Sequence, residues 1–527
     1  MSQGDWTAAA CGANDDAGTQ LWVGVPKVDP RFANSLPDAP DGCSAALRSK
    51  IAWGVATSAY QVEGAWDEGG RSPSIWDTFS QQPGHTYGNA TGNVAADHYH
   101  QYQQDIKLML ALGVKHYRLS LSWSRILPGG GRGTEPNAAG LRFYRHLLQE
   151  LHAAGITPVV TLYHMDLPQV LQDTYGGFLD QQLSEDFLYY ADIVFAQLGP
   201  YVKHWLTFSD PMAICQLGYG VGVYAPGVEK GAAGHYRCGH TLLLAHAKAV
   251  QLYRLKYQQL QEGRISMVIS AHWGLPFDSS SKADLNATDT YMQFQVGWMA
   301  DPLFFGDYPE VMRRSQPKLP KFKEAEKRLL AGSVDFFALN YYTSHFVKAA
   351  PPGAPKDQVY EESLTDHEGR HPGTPSDVFW QFSAPDGLRS TLNWIGRRYQ
   401  RPEVWVTENG VASPGESAND RRNLLKDMHR LDYYRTHLDS LCAAVTKDSA
   451  NLAAFFAWSL LDAFEFSDGY KARYGIVHVD RTSKQLQRYP KLSAYWLSQQ
   501  FFRYAPDSIA CLEIRSCRAT RSTLLPV

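Results

Sequence analysis

Eight short apolar runs alternate with eight helical stretches between residues 51 and 500, and this rhythm limits the fold more than any other feature. The runs at 51–57, 115–121, 157–162, 203–208, 265–270, 334–339, 403–407 and 453–458 are rich in β-branched and aromatic residues and read as strands. The stretches at 98–112, 138–154, 182–198, 236–261, 288–300, 387–399, 420–445 and 490–499 repeat apolar residues near every 3.6 positions and read as helices. Parallel strands need a long crossover to return to the same edge, and a helix supplies it. Eight such units close a parallel sheet into an α/β fold, the (β/α)8 or TIM barrel, in one domain spanning 49–503. An open doubly wound sheet would use fewer units and a Gly-rich phosphate loop after the first strand. The stretch GVATSAYQVEGA (54–65) contains no G-x-G-x-x-G.

Outside the rhythm, residues 1–48 are rich in Ala, Gly, Asp and Pro and read as a loosely ordered extension, and 504–527 as a tail. The Pro-, Gly- and charge-rich segment 349–386 reads as a mobile loop over the strand ends. A net charge of −3 on 527 residues argues against nucleic acid and against a polybasic membrane surface. No run of about 18 apolar residues offers a membrane span, and the N-terminus shows no basic segment followed by an apolar run, so a cytoplasmic location is expected. Seven cysteines (11, 43, 215, 238, 442, 511 and 517) are scattered and odd in number, so no disulfide framework is expected. Cys511 and Cys517 could pair locally, and the sequons at Asn89 and Asn286 matter only in a secreted chain. No metal or cofactor motif is present, and nothing in the sequence speaks to oligomeric state.

In a barrel of this kind the site lies at the C-terminal ends of the strands. Gln61 and Glu63 follow the first strand; Arg118 lies on the second, with Trp123 beyond it. His164 and Asp166 end the third, Ser209 and Asp210 the fourth, and Asn340, Tyr341 and Tyr342 the sixth. Glu408 ends the seventh, where Asn409-Gly410 is expected to turn the chain sharply, and Trp458, Asp462, Glu465 and Phe466 follow the eighth. Singly, each has an ordinary structural role. Together they gather buried charge and amide groups at one face, and such groups are costly without a polar ligand. Carboxylates at strands four and seven face each other across an eight-stranded barrel. With amide donors and Trp platforms around them, they suit glycoside hydrolysis, in which one carboxylate attacks the anomeric carbon and the other protonates the leaving oxygen. The 13% aromatic content, with 14 Trp, agrees with a carbohydrate ligand.

These residues resemble glycoside hydrolase family 1, the retaining β-glycosidases, from about residue 51 to 500. The matching stretches are ATSAYQVEGA (56–65), YRLSLSWSRI (117–126), TLYHMDLPQ (161–169), DPLFFGDYP (301–309), LNYYTS (339–344), VTENG (406–410), WSLLDAFEFSDGY (458–470) and RYGIVHVD (473–480). The resemblance implies Glu408 as nucleophile with Arg118, Asn340 and Tyr342 as its supports. It implies Gln61, His164 and Glu465 as binders of sugar hydroxyls, Trp458 as the platform under the ring, and Phe466 beside it. The family reads Thr-Phe-Asn-Glu-Pro where this chain has Thr207-Phe208-Ser209-Asp210-Pro211. Asp210 therefore stands at the acid/base position, one methylene (about 1.5 Å) short. Ser209 replaces an amide that would donate to the sugar 2-hydroxyl, and Met165 stands where Trp is usual. The implied partner is a β-linked glucoside or galactoside, and neither cofactor nor metal is implied. Ser-Asp-Pro also resembles the lactase-like and klotho relatives, so a sugar-binding or signalling protein with impaired catalysis stays open. A structural barrel whose polar mouth meets a protein partner is a third reading.

Overall fold

The computed structural model describes residues 36–418 and 420–507. Its strands are β1 (Ala52–Ala56), β2 (His116–Ser120), β3 (Thr157–Tyr163), β4 (His204–Phe208), β5 (Arg264–Ser266), β6 (Val268–Pro276), β7 (Phe337–Ala349), β8 (Val404–Asn409) and β9 (Leu452–Trp458). They run in the order β5-β4-β3-β2-β1-β9-β8-β7-β6 with parallel neighbours throughout. β5 and β6 are one run of chain interrupted at Met267, so the order closes on itself as an eight-stranded barrel. Closure leaves no free sheet edge to template aggregation.

Period-two alternation sorts β1 between two environments. Ala52 and Ala56 point into the barrel with Ala338, Trp405, Ala454, Phe456 and Trp458, while Trp53 and Val55 face the helical shell. Small residues on β1 leave room for the large ones on β9. A Cβ at Gly54 would come within 2.8 Å of the Phe456 ring and 2.4 Å of the His116 carbonyl, so only glycine fits there. Helix Ala138–Ala153 is typical of the shell. Asn137 caps it by accepting from the Ala139 N–H at 3.1 Å, and Leu141, Tyr144, Leu148 and Leu151 form its buried stripe.

Four expectations change. Segment 349–386 is pinned rather than mobile: Tyr360–Ser363 pairs antiparallel with the end of β7, and His345 bonds the Trp380 carbonyl at 2.8 Å. Asn409-Gly410 is no turn, since Asn409 is the last residue of β8 and donates to the Tyr341 carbonyl and the Tyr433 hydroxyl. Gly410 is required for close approach, because a Cβ there would lie 1.8 Å from the Trp458 carbonyl oxygen. Two disulfides, Cys43–Cys442 and Cys215–Cys238, form where no disulfide framework is expected. Their partners are 399 and 23 residues apart, separations that only the folded topology brings together. The stretch 36–48, read above as part of an extension, packs on the C-terminal helix: Pro37 accepts from the Trp496 indole at 2.7 Å, and Cys43 is buried. Cys511 and Cys517 lie outside the described residues. Among those described, no helix is long and apolar enough to cross a membrane.

Candidate active site

Glu408 owes its orientation to an irregularity in β8. The register with β7 shifts between Val406 and Glu408, which turns the Glu408 side chain into the barrel mouth opposite Asn340. There it is 2% exposed and ion-paired to Arg118, a fully buried residue of β2. Its second oxygen accepts the Tyr342 hydroxyl at 2.6 Å. Arg118 also donates to the Thr407 carbonyl at 3.2 Å and to the Ser209 hydroxyl at 2.9 Å. A single guanidinium thus fixes residues from β2, β4 and β8.

Asp210 follows β4 with φ 54° and ψ 52°, a left-handed backbone that Asp adopts more readily than most residues. Its carboxyl accepts from Asn340 Nδ2 at 3.0 Å and lies 3.9 Å from His164 Nε2. At 14% exposure its side chain reaches the opening more than Glu408 does. His164, Asp210 and Glu408 each place one polar atom within 4.8 Å of the others. Burial pushes the Asp210 carboxyl up to about 7, and the charge of Glu408 adds to the shift. Hydrogen bonds from Asn340 and Ser209 and the charge of Arg118 hold it from rising further. His164 is driven well below its usual range by burial and by Arg118, so its imidazole is neutral. A cation on these three groups would compete with Arg118 and Tyr342, which already occupy the oxygens of Glu408.

The rest of the cup comes from the ends of β1 and β9. Gln61 donates to Glu465 Oε2 at 3.0 Å while Ser58 donates to Gln61 Oε1 at 2.6 Å, which fixes the amide orientation. Glu465 Oε1 has no hydrogen-bond partner among the described residues, so it can accept from a hydroxyl. Burial, together with Asp468 and Asp462, holds Glu465 well above the usual carboxylate range. Trp458 stacks on His164 with ring centres 5.7 Å apart. Phe466 packs on Trp76 and Tyr224 at 4.7 and 5.8 Å, continuing an aromatic wall.

The structure thus brings together Gln61, Arg118, His164, Ser209, Asp210, Asn340, Tyr342, Glu408, Trp458, Glu465 and Phe466. Other residues at strand ends turn away. Glu63 is bound by Arg125 at 2.9 Å and by Tyr144 at 2.6 Å. Asp462 is held by Lys491 and His478, and Tyr341 bonds the Ala384 carbonyl. Trp380, edge-on to Tyr342, and Gln381, which donates to the Gly410 carbonyl at 2.7 Å, join the wall unforeseen. They lie in the irregular segment before helix Pro385–Arg398, where no periodicity points inward. Tyr224 joins them from the loop after β4.

A closed (β/α)8 barrel with two carboxylates facing across a buried, polar and aromatic cup defines a protein of the glycoside hydrolase class. Residues 43–503 match Glycosyl hydrolase family 1, and the chain belongs to that family. It is 39% identical over 491 residues to beta-glucosidase 1B of Phanerodontia chrysosporium, covering 91% of this chain and 90% of that protein. It is 41% identical to beta-glucosidase 42 of Arabidopsis thaliana over 456 residues, 85% of this chain and 92% of the other. Among solved structures, the family 1 beta-glucosidase of Humicola insolens in complex with glucose superposes with a TM-score of 0.85. That pair is 38% identical over 87% of this chain and 99% of the other. The similarity spans almost the whole barrel, including the stretches quoted above.

Proposed function

We propose that this chain is a retaining β-glucosidase in which Glu408 is the nucleophile and Asp210 the acid/base. One observation carries the reading: Glu408, gripped by Arg118 and Tyr342, faces within 4.8 Å a carboxyl that burial keeps partly protonated near neutrality. A gap within 4.8 Å falls on the retaining side, because inverting pairs stand about 6.5–9.5 Å apart to leave room for a water between carboxylate and sugar. Glu408 attacks the anomeric carbon as the bond to the leaving oxygen breaks, and the Asp210 proton passes to that oxygen. Asp210, now a carboxylate, takes a proton from water; the water oxygen bonds to the anomeric carbon and Glu408 departs. Gln61, His164 and Glu465 bind sugar hydroxyls, and Trp458 lies beneath the ring. The names of the relatives support β-glucosides as substrates, with β-galactosides and β-fucosides to be compared beside them. The retained Arg118–Glu408–Tyr342 group favours catalysis over the sugar-binding or signalling reading.

A 2-deoxy-2-fluoro β-glucoside is expected to add one glycosyl mass to Glu408, read by intact-mass and peptide spectra. Absence of an adduct under conditions that label a control glucosidase would rule the enzyme reading out. Two buried disulfides and exposed sequons at Asn89 and Asn286 support an oxidising compartment instead of the cytoplasm. Peptide maps of the native protein under non-reducing conditions test this, and free thiols at all four positions would reverse it.

A further inference from the structure

We infer that the Cys215–Cys238 disulfide positions Asp210 for proton transfer; the inference rests on the acid/base reading above. Asp210 has little regular structure to hold it. After its left-handed residue comes a single α-turn, Pro211–Ala213, and then a widened π-helical turn, Ile214–Gly220. Short isolated turns are weak on their own, because few hydrogen bonds offset the ordering of the chain. The Asp210 carbonyl accepts from the Ile214 N–H at 3.0 Å, so the backbone of the acid is tied to the residue before Cys215. Cys215 is buried in the π-turn, and its disulfide partner lies on Gly231–Lys256, a 26-residue helix of the outer shell. The same helix clamps the far end of the turn, where a Cβ at Gly234 would approach the Tyr219 carbonyl to 2.2 Å.

On its other side the acid is held by Ser209, whose hydroxyl accepts from Arg118 at 2.9 Å. Asp210 thus lies between an anchor to the buried Arg118 and a covalent anchor to the shell. The need for both follows from the side chain. Asp has one torsion fewer than Glu, so a displaced backbone cannot be offset by changing rotamer, and the carboxyl moves with the main chain. Misplacement by about 1 Å costs proton transfer about 100-fold.

The experiment compares Cys215→Ala/Cys238→Ala with the wild-type chain on two β-glucosides, one with an alkyl and one with a dinitrophenyl leaving group. Only the alkyl group needs its oxygen protonated. The expected result is a loss in kcat/KM of about 10- to 100-fold on the alkyl glucoside and of less than about twofold on the dinitrophenyl one. The limb of the pH profile at high pH should move on the alkyl substrate as well. Equal losses on both substrates, or no loss on either, overturn the proposal, since a merely structural disulfide acts on both alike. Cys215→Ala/Cys238→Val refills the space if the first variant does not fold. Asp210→Ala with added azide separates the underlying reading: azide should restore turnover of the dinitrophenyl glucoside as a β-glucosyl azide. Failure there removes the acid/base role itself, whatever the cysteine variants do.

Discussion

Asp210→Glu restores the residue that the family carries, and the structure predicts that it impairs this chain. The added methylene advances the carboxyl by about 1.5 Å, one C–C bond. The nearest oxygens of residues 210 and 408 lie within 4.8 Å, so the gap closes to at most about 3.3 Å if the side chain extends along the same line. At an effective dielectric of about 20, that approach raises carboxylate repulsion by at least about 1.5 kcal/mol, equivalent to about one pKa unit or more. The Asn340 donor, set 3.0 Å from the shorter carboxyl, no longer meets the longer one squarely. A left-handed backbone at φ 54° is also less natural to Glu than to Asp.

The assay is a pair of pH–rate profiles, one with an alkyl and one with an activated aryl β-glucoside. In the proposed mechanism the acid must carry its proton, so the activity of the wild-type chain is expected to fall as pH rises through about 7. In Asp210→Glu that limb should move toward about 8, and the alkyl rate should fall by up to about 100-fold, with the aryl rate less affected. A variant faster than wild type on the alkyl glucoside, with its limb still near 7, would mean that Asp210 is too short for its task and would refute the geometric argument.

Tyr342→Phe removes the 2.6 Å hydroxyl bond to Glu408 and leaves the ring in place. A hydrogen bond to a charged group contributes about 1.5–3 kcal/mol, so kcat for glucoside hydrolysis should drop about 10- to 100-fold with little change in melting temperature; an unchanged kcat counts against Glu408 as nucleophile. Asp166 is fully buried, neither of its oxygens has a well-aligned hydrogen-bond partner among the described residues, and burial raises its carboxyl to about 7. Between its ordinary value and about 7 the folded chain keeps a proton that the unfolded chain has lost, so this group's contribution is fully present below the ordinary value and is lost as pH rises through the window, at most about 4 kcal/mol. Asp166→Asn should therefore flatten the fall in unfolding free energy between pH 4 and 7.5, measured by urea denaturation, and an unchanged slope contradicts the assignment.

How much of this could be read from the chain depends on how local the signal is. β1, β2, β4 and β9 appear within about a residue of their expected bounds, because period and β-branched content mark them directly. The polar residues ending those strands were legible for the same reason, since barrel topology states where strand ends point. The supporting details were not. Whether Glu63 faces the cup or Arg125 depends on a contact 62 residues away. The wall formed by Trp380 and Gln381 lies in a segment without period, and its place is set by His345 and Gly410. Cysteine spacing likewise carries no trace of a partner 399 positions distant. Asn409-Gly410 misled in another way: the glycine answers to the Trp458 carbonyl behind it and has nothing to do with a turn.

The proposed division of labour between the two carboxyls follows from their surroundings rather than their side-chain lengths. Glu408 receives a guanidinium and a phenol, donors that favour a charged oxygen. Asp210 receives a neutral amide and a more distant neutral hydroxyl, from Asn340 and Ser209, and sits beside the Glu408 charge, conditions under which a buried carboxyl keeps its proton. Exchanging the residue types would not exchange the roles, because Arg118 and Tyr342 would still point at position 408. By the same logic the proposed reading makes Asp210 an adapted acid and not a damaged Glu. The left-handed backbone, the Asn340 donor and the anchors on either side all fit a short carboxyl, so restoring the longer one changes every contact at once.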